Sequence, residues 1–274
     1  VSSSESVFAV GTSPGPERPI GVAAKNRISH ASVLGPTGSG KTEAVLVPWL
    51  LSDMRASRPV CFIDPKGQGV EYVLDLLTFE EADRVVLYDP SDPDSTAGFN
   101  PLDARGRDAY AVADSILAVF KSVFAAGWGP RTEDILYAST LTLAIDGQRR
   151  ELPHTLLDIP RLLTDPAFRR TVTPAVASEP EIARFWARYE SLKPAQQENE
   201  IAAPMNKLRR YLMRRGATAL LGQADPPFRL RDIWKGNRIV LVAVNEALAG
   251  TETAQLIGGL ICSEGFMAAQ ESAT

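Results

Sequence analysis

Hydrophobic positions in the first hundred residues fall into short runs separated by helical patterns. Three runs predict strands, and they cover residues 31–35 (ASVLG), 59–64 (PVCFID) and 84–89 (RVVLYD). Apolar residues between the runs have helical spacing, which predicts a helix of about 12 residues after residue 40 and another over 70–83. Short apolar runs alternating with helices are typical of an α/β domain with a mostly parallel sheet.

A different pattern fills the middle of the chain, where apolar residues recur at helical spacing from Asp108 to about Arg215. In the first predicted helix, six residues share one face: Tyr110, Ala113, Ile116, Leu117, Phe120 and Phe124. A second predicted helix begins with Thr132 as its N-cap and ends on Gly147, because threonine favours the start of a helix and glycine its end. This stretch predicts an all-helical region.

The strand pattern returns at residues 238–246 (RIVLVAVNE), and a helical pattern follows it. We therefore predict an α/β core that an all-helical insertion interrupts. The first residues are rich in serine, glycine and proline, which is typical of a loose lead-in. The predicted divisions are 1–19 for the lead-in, 20–103 for the first part of the core, 104–230 for the insertion and 231–274 for the rest of the core.

The motif with the clearest chemistry lies between the first predicted strand and its helix. It fits the phosphate-binding pattern GxxxxGK[ST] in full, and its residues are Gly35, Pro36, Thr37, Gly38, Ser39, Gly40, Lys41 and Thr42. The glycines let successive amides turn toward phosphate oxygens, and the following helix adds the positive end of its dipole. Lys41 is expected to reach the β- and γ-phosphates, and the Thr42 hydroxyl to ligate Mg²⁺. The complete motif disfavours the alternative, a glycine-rich turn that binds nothing.

A proline interrupts the helix predicted after this motif. Pro48 lies six residues beyond Thr42, where its missing N–H removes one helical hydrogen bond. We expect either a kinked helix or a helix that ends there, with a second helix starting in PWLLSDM.

Three carboxylates are candidates for a magnesium-binding or catalytic position. Asp64 ends the second predicted strand and Asp89 the third, and an aspartate at the end of a strand is suited to binding Mg²⁺. Neither is followed by the glutamate that would polarise an attacking water, and each could equally form a turn before proline. Glu246, in LVAVNE, is a degenerate form of such a pair. The sequence therefore leaves the catalytic group unidentified.

The densest basic cluster falls on a predicted helix and comprises Lys207, Arg209, Arg210, Arg214 and Arg215. As DNA contacts, these residues would neutralise phosphates without reading sequence. The alternative, which we favour, is a solvated helix face whose cations complement the C-terminal end of the helix. The formal net charge of -4 does not exclude DNA, because a channel needs only a local basic stripe.

Composition limits the class of protein. With 45% hydrophobic and 23% charged residues among 274, the chain can bury a core. The two cysteines, Cys61 and Cys262, imply no disulfide framework and fit a reducing cytoplasm. The apolar runs are well short of the ~20 residues that span a bilayer. Because the first residue is valine, we expect a piece of a longer chain, and a membrane anchor outside it remains open.

Four segments taken together, GPTGSGKTEAVLVPWLL, FIDPKGQG, YDPSD and FNPLD, resemble the type IV coupling proteins of conjugation systems, within the HerA–FtsK class of DNA-pumping ATPases. Their order and spacing from 33 to 103 carry the resemblance. Later segments such as WGPRTEDILYASTLTL and APMNKLRRYL resemble the helical insertion of bacterial HerA-like relatives. The resemblance implies an α/β fold with a RecA-like P-loop NTPase core, a mostly parallel sheet and an all-helical insertion domain.

Proteins of this class are ring-forming motors, usually hexameric, which translocate DNA or pass a DNA–protein complex to a secretion channel. The resemblance implies ATP and Mg²⁺ as cofactors, a structural or γ-phosphate-sensing role for Asp64, and a turn near the site at Asn100. It also implies a cytoplasmic location, associated with the membrane through other segments. Gln68 departs from the family, which often has glutamate there. The Walker B Asp-Glu pair of the family is expected just beyond Thr274, so we expect slow hydrolysis by this chain alone.

Two other functions remain open. One is a nucleotide-binding switch or assembly subunit with little turnover, and the other is a P-loop kinase that acts on a small molecule. The kinase is disfavoured because the large helical region has no recognisable acceptor-binding motif. Turnover that DNA stimulates would distinguish the motor from both, and turnover that requires a small acceptor would identify the kinase.

Overall fold

The computed structural model describes residues 7–12, 19–23, 26, 30–125, 127–212 and 214–272, without the side chains of 7–12, 19–20 and 210–211. The strands are β1 (Val7–Thr12), β2 (Pro19–Ala23), β3 (Val60–Asp64), β4 (Val85–Tyr88) and β5 (Ile239–Ala243). The α-helices are α1 (Val47–Arg55), α2 (Gln68–Asp75), α3 (Phe79–Ala82), α4 (Ala109–Val123), α5 (Pro130–Arg150), α6 (Asp158–Thr164), α7 (Pro166–Val172), α8 (Pro180–Ser191), α9 (Pro194–Leu212), α10 (Arg215–Leu221), α11 (Glu246–Ala249) and α12 (Thr251–Ser272). Within the described ranges, no helix combines the length and hydrophobicity that a membrane-spanning segment needs.

β5 lies at the centre of a three-stranded parallel sheet, with β3 on one side and β4 on the other. Val60 of β3 pairs with Ile239, and β4 pairs with the opposite edge of the same strand. Every residue of β5 is apolar and buried, as expected for a parallel strand covered on both faces. The predicted strands at 59–64, 84–89 and 238–246 and their parallel α/β arrangement are therefore confirmed.

The strand predicted at 31–35 is not part of this sheet, so that prediction is wrong. Residues 30–36 have no regular secondary structure, and β3 pairs only with β5 among the described residues. Val33 is half-buried, whereas Leu34 is 91% exposed. An apolar run shows that a segment can be buried, but a strand also needs a neighbouring edge to pair its N–H and C=O groups.

The lead-in predicted over 1–19 contains a strand, which corrects the expectation of loose structure there. β1 and β2 form an antiparallel hairpin in which Val7 stands opposite Ala23. The serine, glycine and proline content of the segment outweighed a short run, VFAVGT, whose valine and phenylalanine favour a strand. The rest of the predicted lead-in, residues 1–6 and 13–18, lies outside the described residues.

Each face of the parallel sheet packs against a hydrophobic core. Alternate residues of a strand point to opposite faces, and β5 divides accordingly. Ile239, Leu241 and Ala243 face the smaller core, which α1 and α2 complete. Val240, Val242 and Val244 face the larger core, which contains residues of α4, α5, α8 and α12. The predicted helical insertion therefore shares one continuous core with the sheet.

α5 extends beyond the predicted helix at both ends. It begins at Pro130, so the predicted N-cap Thr132 is buried in its first turn, and it ends at Arg150. The predicted end, Gly147, lies inside the helix, where a β-carbon would stand 3.0 Å from the Cα of Pro153. The glycine is there because the returning chain packs against the helix backbone, and it does not terminate the helix.

The single helix predicted over 70–83 is interrupted, and the chain forms α2 and α3 instead. The Thr78 hydroxyl accepts a hydrogen bond from the Glu81 N–H at 3.3 Å, and the Glu81 carboxylate accepts one from the Thr78 N–H at 2.8 Å. This reciprocal capping box starts a new helix at Phe79. Local hydrogen bonding thus overrides apolar spacing that would suit one continuous helix.

Candidate nucleotide site

Residues 35–42 form a tight turn whose conformation depends on glycine. Gly38 has a φ of 79° and Gly40 a φ of 75°, which residues with a β-carbon rarely adopt. A β-carbon at Gly35 would lie 2.8 Å from the Ser39 hydroxyl oxygen. The turn is mostly exposed. Glycine at these positions therefore keeps side chains out of the inner side of an accessible turn, as a phosphate-binding loop requires.

Lys41 folds back onto the same turn. Its Nζ donates hydrogen bonds to the carbonyl oxygens of Gly35 at 2.6 Å and Pro36 at 2.7 Å. The carbonyl groups of the turn therefore hold the ammonium group in place. Because ammonium binds anionic oxygens more strongly than neutral carbonyls, a phosphate at this position could draw Lys41 away from both.

The helix after the turn changes type at Pro48. Thr42–Leu46 is a π-helical turn, closed by a hydrogen bond from the Val47 N–H to the Thr42 carbonyl, and it continues directly into α1. Pro48 is the second residue of α1, and it has no N–H to donate to a carbonyl of the π-helical turn before it. Since π-helical turns distort a helix axis, the structure supports the kinked helix over two separate helices.

Asp64 and Thr42 both lie close to Gly69. A β-carbon at Gly69 would stand 3.0 Å from Asp64 Oδ2 and 3.3 Å from Thr42 Cγ2. The Asp64 carboxylate accepts hydrogen bonds from the backbone N–H groups of Lys66 at 3.0 Å and Gly69 at 2.7 Å. It is thus oriented by its own turn and also lies beside the threonine of the motif. Hydroxyl and carboxylate oxygens together suit a hard cation such as Mg²⁺.

The end of β5 adjoins this turn. Gly67 has a φ of 80°, and a β-carbon there would lie 3.6 Å from the side chain of Asn245. Asn245 Oδ1 accepts a hydrogen bond from the Ala247 N–H at 3.0 Å, which caps α11. Glu246 begins that helix with its side chain exposed, and its N–H donates to the Pro65 carbonyl at 3.3 Å. The loops after β3 and β5 are therefore bonded together next to Asp64.

Asp89 is engaged by its own turn. Its Oδ1 accepts hydrogen bonds from the Ser91 N–H at 2.8 Å and the Ser91 hydroxyl at 2.6 Å. It follows β4, which β5 separates from β3, whereas Asp64 follows β3 itself. The geometry at Asp89 is that of an aspartate turn before proline, one of the two alternatives for this residue.

Two of the five residues in the basic cluster connect elements within the fold. Lys207 Nζ donates to the Phe124 carbonyl at 3.3 Å and lies 5.6 Å from the ring centroid of the same residue. The guanidinium group of Arg214 donates to the Ala249 carbonyl at the end of α11. Both cations therefore satisfy the free carbonyls of helix ends.

The other three members of the cluster differ in their surroundings. Arg215 pairs with Asp94 at 3.0 Å, and both side chains are largely exposed. Arg209 is exposed on α9, and the Arg210 side chain lies outside the described residues. Among the described side chains of the cluster, that of Arg209 is the most accessible to an external anion.

A buried ionic network, which the sequence analysis missed, ties residues 103–105 to 225–231. The Asp103 carboxylate is 2.8 Å from Arg105, 3.3 Å from Arg229 and 3.8 Å from Arg231. Arg105 also pairs with Asp225 at 2.6 Å. Burial raises the pKa of Asp103, but hydrogen bonds from Arg105 and the charges of Arg105 and Arg229 outweigh it, and the pKa falls below its usual value.

Arg107 extends the ionic connections to α12. It is buried between Glu264, 2.6 Å away, and Glu271, also 2.6 Å away. Burial raises the pKa of Glu264 even though Arg107 acts in the opposite direction. The only signal in the sequence is two short arginine repeats, ARGR and RLR, which do not reveal their partners.

Asn100 forms the turn that the sequence analysis places near the site, and it holds two distant segments. Its Nδ2 donates to the carbonyl oxygens of His154 at 2.9 Å and Ala224 at 2.7 Å. Its Oδ1 accepts from the Leu102 N–H at 3.0 Å. The contacts of Asn100 are thus with the chain itself, at the junction between the sheet and the helical region.

Comparison with known proteins identifies a family that matches the chain. A family model described as "Type IV secretory system Conjugative DNA transfer" matches residues 13–156, more than half of the chain. The matched range includes the 35–42 turn, Asp64 and the Asn100 turn. No curated protein matches the chain.

Proposed function

This chain belongs to the type IV secretory system conjugative DNA transfer family, and we propose that it is the ATP-binding portion of a DNA-translocating motor. The observation that supports this most strongly is the complete GPTGSGKT turn with Asp64 beside Thr42. We further propose that the three-stranded sheet is part of a RecA-like core, and that the helical region is the insertion of the HerA–FtsK class.

The residues of the turn suit Mg-ATP. Gly35, Gly38 and Gly40 leave room for phosphate oxygens against the backbone amides. In the proposed complex, Lys41 leaves its two carbonyl partners and pairs with the β- and γ-phosphates, while Thr42 supplies a hydroxyl ligand for the metal. Asp64 would orient that ligand or accept a bond from a metal-bound water. Mg-ATP would supply the phosphoanhydride bond that hydrolysis cleaves, and its Mg²⁺ would offset part of the negative charge of the phosphates.

The family implies DNA as the partner, and we propose that several copies of the chain, as a hexameric ring, enclose it. A ring combines weak phosphate contacts from each copy into a strong total, so one exposed cation such as Arg209 could suffice in each subunit. We propose that the motor acts in the cytoplasm, against a secretion channel in the membrane.

One observation favours a second function, a nucleotide-binding switch or assembly subunit with little turnover. Both carboxylate oxygens of Asp64 already accept backbone hydrogen bonds, and Glu246 begins a helix with its side chain exposed. Neither carboxylate is therefore positioned to activate a water, and loss of a positioned base costs roughly 10²–10⁴ in rate.

Calorimetric titration with ATP and Mg²⁺ tests nucleotide binding. We expect Lys41→Ala to weaken the affinity about 100-fold, because charge-assisted bonds to phosphate contribute about 3 kcal/mol. Lys193→Ala is the matched control, since Lys193 is an exposed lysine just before α9, and its affinity should match the parent. Equal affinities for both variants would refute the nucleotide assignment.

Steady-state phosphate release, with and without DNA, distinguishes the two functions. Stimulation by DNA supports the motor. If the chain binds nucleotide tightly but releases phosphate slowly, and DNA does not change that rate, the result supports the switch. Phosphate transfer to a small acceptor, measured in the same assay, would identify a kinase and contradict both.

A further inference from the structure

An open apolar groove of about 730 Å³ lies along β4, on the side away from β5. The end of α2, α3, the strand itself and two loops form its walls. Its main apolar lining residues are Leu74, Leu77, Phe79, Val85, Leu87 and Phe228. Among the residues that the structure describes, those that line it are all uncharged. We call this feature the β4 groove.

The aromatic side chain at the mouth of the β4 groove is unusually exposed. Phe79 is 85% exposed although it is the first residue of α3. Leu74 is also exposed, on the last turn of α2. Exposed apolar residues scattered singly are common, but apolar residues gathered around a groove mark interaction surfaces.

The rim of the β4 groove is acidic. Residues 74–97 contain seven carboxylates and one cation, Arg84, although Glu81 is buried and Asp94 pairs with Arg215. Asp75, Glu80 and Asp83 are exposed, and each directly follows a residue that lines the groove. The guanidinium group of Arg84 donates to the backbone carbonyls of Asn237 and Met54, and the carboxylates outnumber this one cation.

The outer edge of β4 is partly closed to another strand. The Leu87 carbonyl accepts a hydrogen bond from the Ala97 N–H at 2.8 Å, and the Asp89 N–H donates to the Thr96 hydroxyl at 3.0 Å. These bonds use backbone groups that an added strand would need. An occupant of the groove must therefore be held by side-chain contacts, as an amphipathic helix is.

We propose that the β4 groove docks an amphipathic helical segment of a partner protein, whose apolar face carries flanking lysine or arginine residues. The apolar face would fill the groove over Phe79 and Leu87, and the flanking cations would meet Asp75, Glu80 and Asp83. The same carboxylates repel nucleic acid and anionic lipid. The proposal does not depend on the nucleotide site.

A fluorescence-anisotropy titration tests this docking with a labelled amphipathic peptide built from leucine and lysine. The parent chain should bind it, and added salt should weaken binding because the rim charges are exposed. Phe79→Ser and Glu80→Lys should each weaken binding by about tenfold, since an aromatic anchor and a complementary charge are lost. Both side chains are exposed, so neither substitution should disturb folding.

The matched controls are Phe266→Ser, an exposed phenylalanine on α12, and Glu198→Lys, an exposed glutamate on α9. Both should bind the peptide like the parent. A peptide with glutamate in place of lysine should not bind. Three results would each refute the proposal: equal binding by all four variants, equal binding of the glutamate peptide, or self-association in analytical ultracentrifugation that Phe79→Ser abolishes.

Discussion

Among single residues, Gly69 has the most direct steric influence on the nucleotide site. A β-carbon there would stand 3.0 Å from Asp64 Oδ2, 3.1 Å from Phe62 Cζ and 3.3 Å from Thr42 Cγ2, so these neighbours must shift by a few tenths of an ångström to admit it. We expect Gly69→Ala to separate Thr42 from Asp64 and to weaken Mg-ATP affinity about tenfold, because misplaced ligands lose binding free energy. The loss should be smaller when Mg²⁺ is omitted.

Gly258→Ala is the control for this substitution. Gly258 also lies in a helix, and a β-carbon there meets nothing within 4 Å. Its ATP affinity should be unchanged, and helix propensity should raise its stability by about 1 kcal/mol. Calorimetric titration of both variants measures the difference. If Gly69→Ala binds Mg-ATP like the parent, Thr42 and Asp64 do not act together on the metal.

The carboxylate of Asp103 should make the stability of the fold depend on pH. Its carboxylate is buried among Arg105, Arg229 and Arg231, and its pKa is lowered. A carboxyl group with a lowered pKa in the folded state stabilises the fold at neutral pH, and this stabilisation is lost as the pH falls through that pKa. Asp103→Asn should therefore cost about 3 kcal/mol at neutral pH, because buried arginine charge is left unpaired.

Urea unfolding at neutral pH and near pH 3 tests this prediction. The gap between the parent and Asp103→Asn should narrow in acid, because protons bind the carboxylate of the unfolded chain first and the stabilisation is lost as the pH falls toward the lowered pKa. Asp114→Asn, at an exposed position on α4, should leave stability unchanged at both values. A gap of the same size in acid would mean that Asp103 acts through its shape and hydrogen bonds, not its charge.

At the scale of elements, Gly147 shows that close packing of the chain against a helix can reverse the usual preference for alanine over glycine. Alanine is normally more stable than glycine inside a helix by about 1 kcal/mol. A β-carbon at Gly147, however, would lie 3.0 Å from Pro153 Cα and 3.2 Å from the His154 nitrogen, both backbone atoms. Gly147→Ala should therefore destabilise the protein by about 1–3 kcal/mol, because overpacking forces the backbone apart.

Thermal and urea unfolding of Gly147→Ala measure this loss. Gly265→Ala, in α12 where a β-carbon has open space, should instead be slightly stabilised. If both variants gained stability, the loop that follows α5 would have to move away from the helix easily, and the close packing would not matter.

The same elements show what the sequence can and cannot predict. β4 and β5 were predictable because their continuous apolar runs are bounded by polar residues, which fixes both type and position. The capping box of Thr78 and Glu81 was visible as T-x-x-E, but helical spacing on both sides hid it. The predictions of a strand at 31–35 and of the end of α5 at Gly147 failed because both depend on contacts with other segments of the chain.

The candidate nucleotide site also has some features that the sequence could predict and others that it could not. The 35–42 turn was predictable because its chemistry lies in consecutive residues. The closeness of Thr42 to Asp64 and of Gly67 to Asn245 arises from the packing of segments that are distant in the chain, which composition does not encode. The ion pairs around Asp103 and Arg107 join residues more than a hundred positions apart, so no local pattern could reveal them.

At the scale of the whole molecule, the sheet and the helical region form one hydrophobic core. Residues of β4 and β5 share the larger core with α4, α5 and α8. A β-carbon at Gly259 of α12 would lie 2.9 Å from Val119 of α4, so these two helices pack in close contact. The ionic connections of Arg107 reinforce the same junction. The helical region and the sheet should therefore not unfold separately.

We expect a single cooperative unfolding transition, although the predicted divisions would allow residues 104–230 to form an independent domain. Hydrogen exchange measured by mass spectrometry across a urea series tests this, with peptides from α1 for the smaller core and α8 for the helical region. Both should lose protection at the same urea concentration, because β5 contributes to both cores and the loss of either core uncovers one of its faces. Arg107→Ala, which removes the connection to α12, should shift both midpoints together. Separate midpoints for α1 and α8 in the parent chain would instead show that the sheet and the helical region are independently stable.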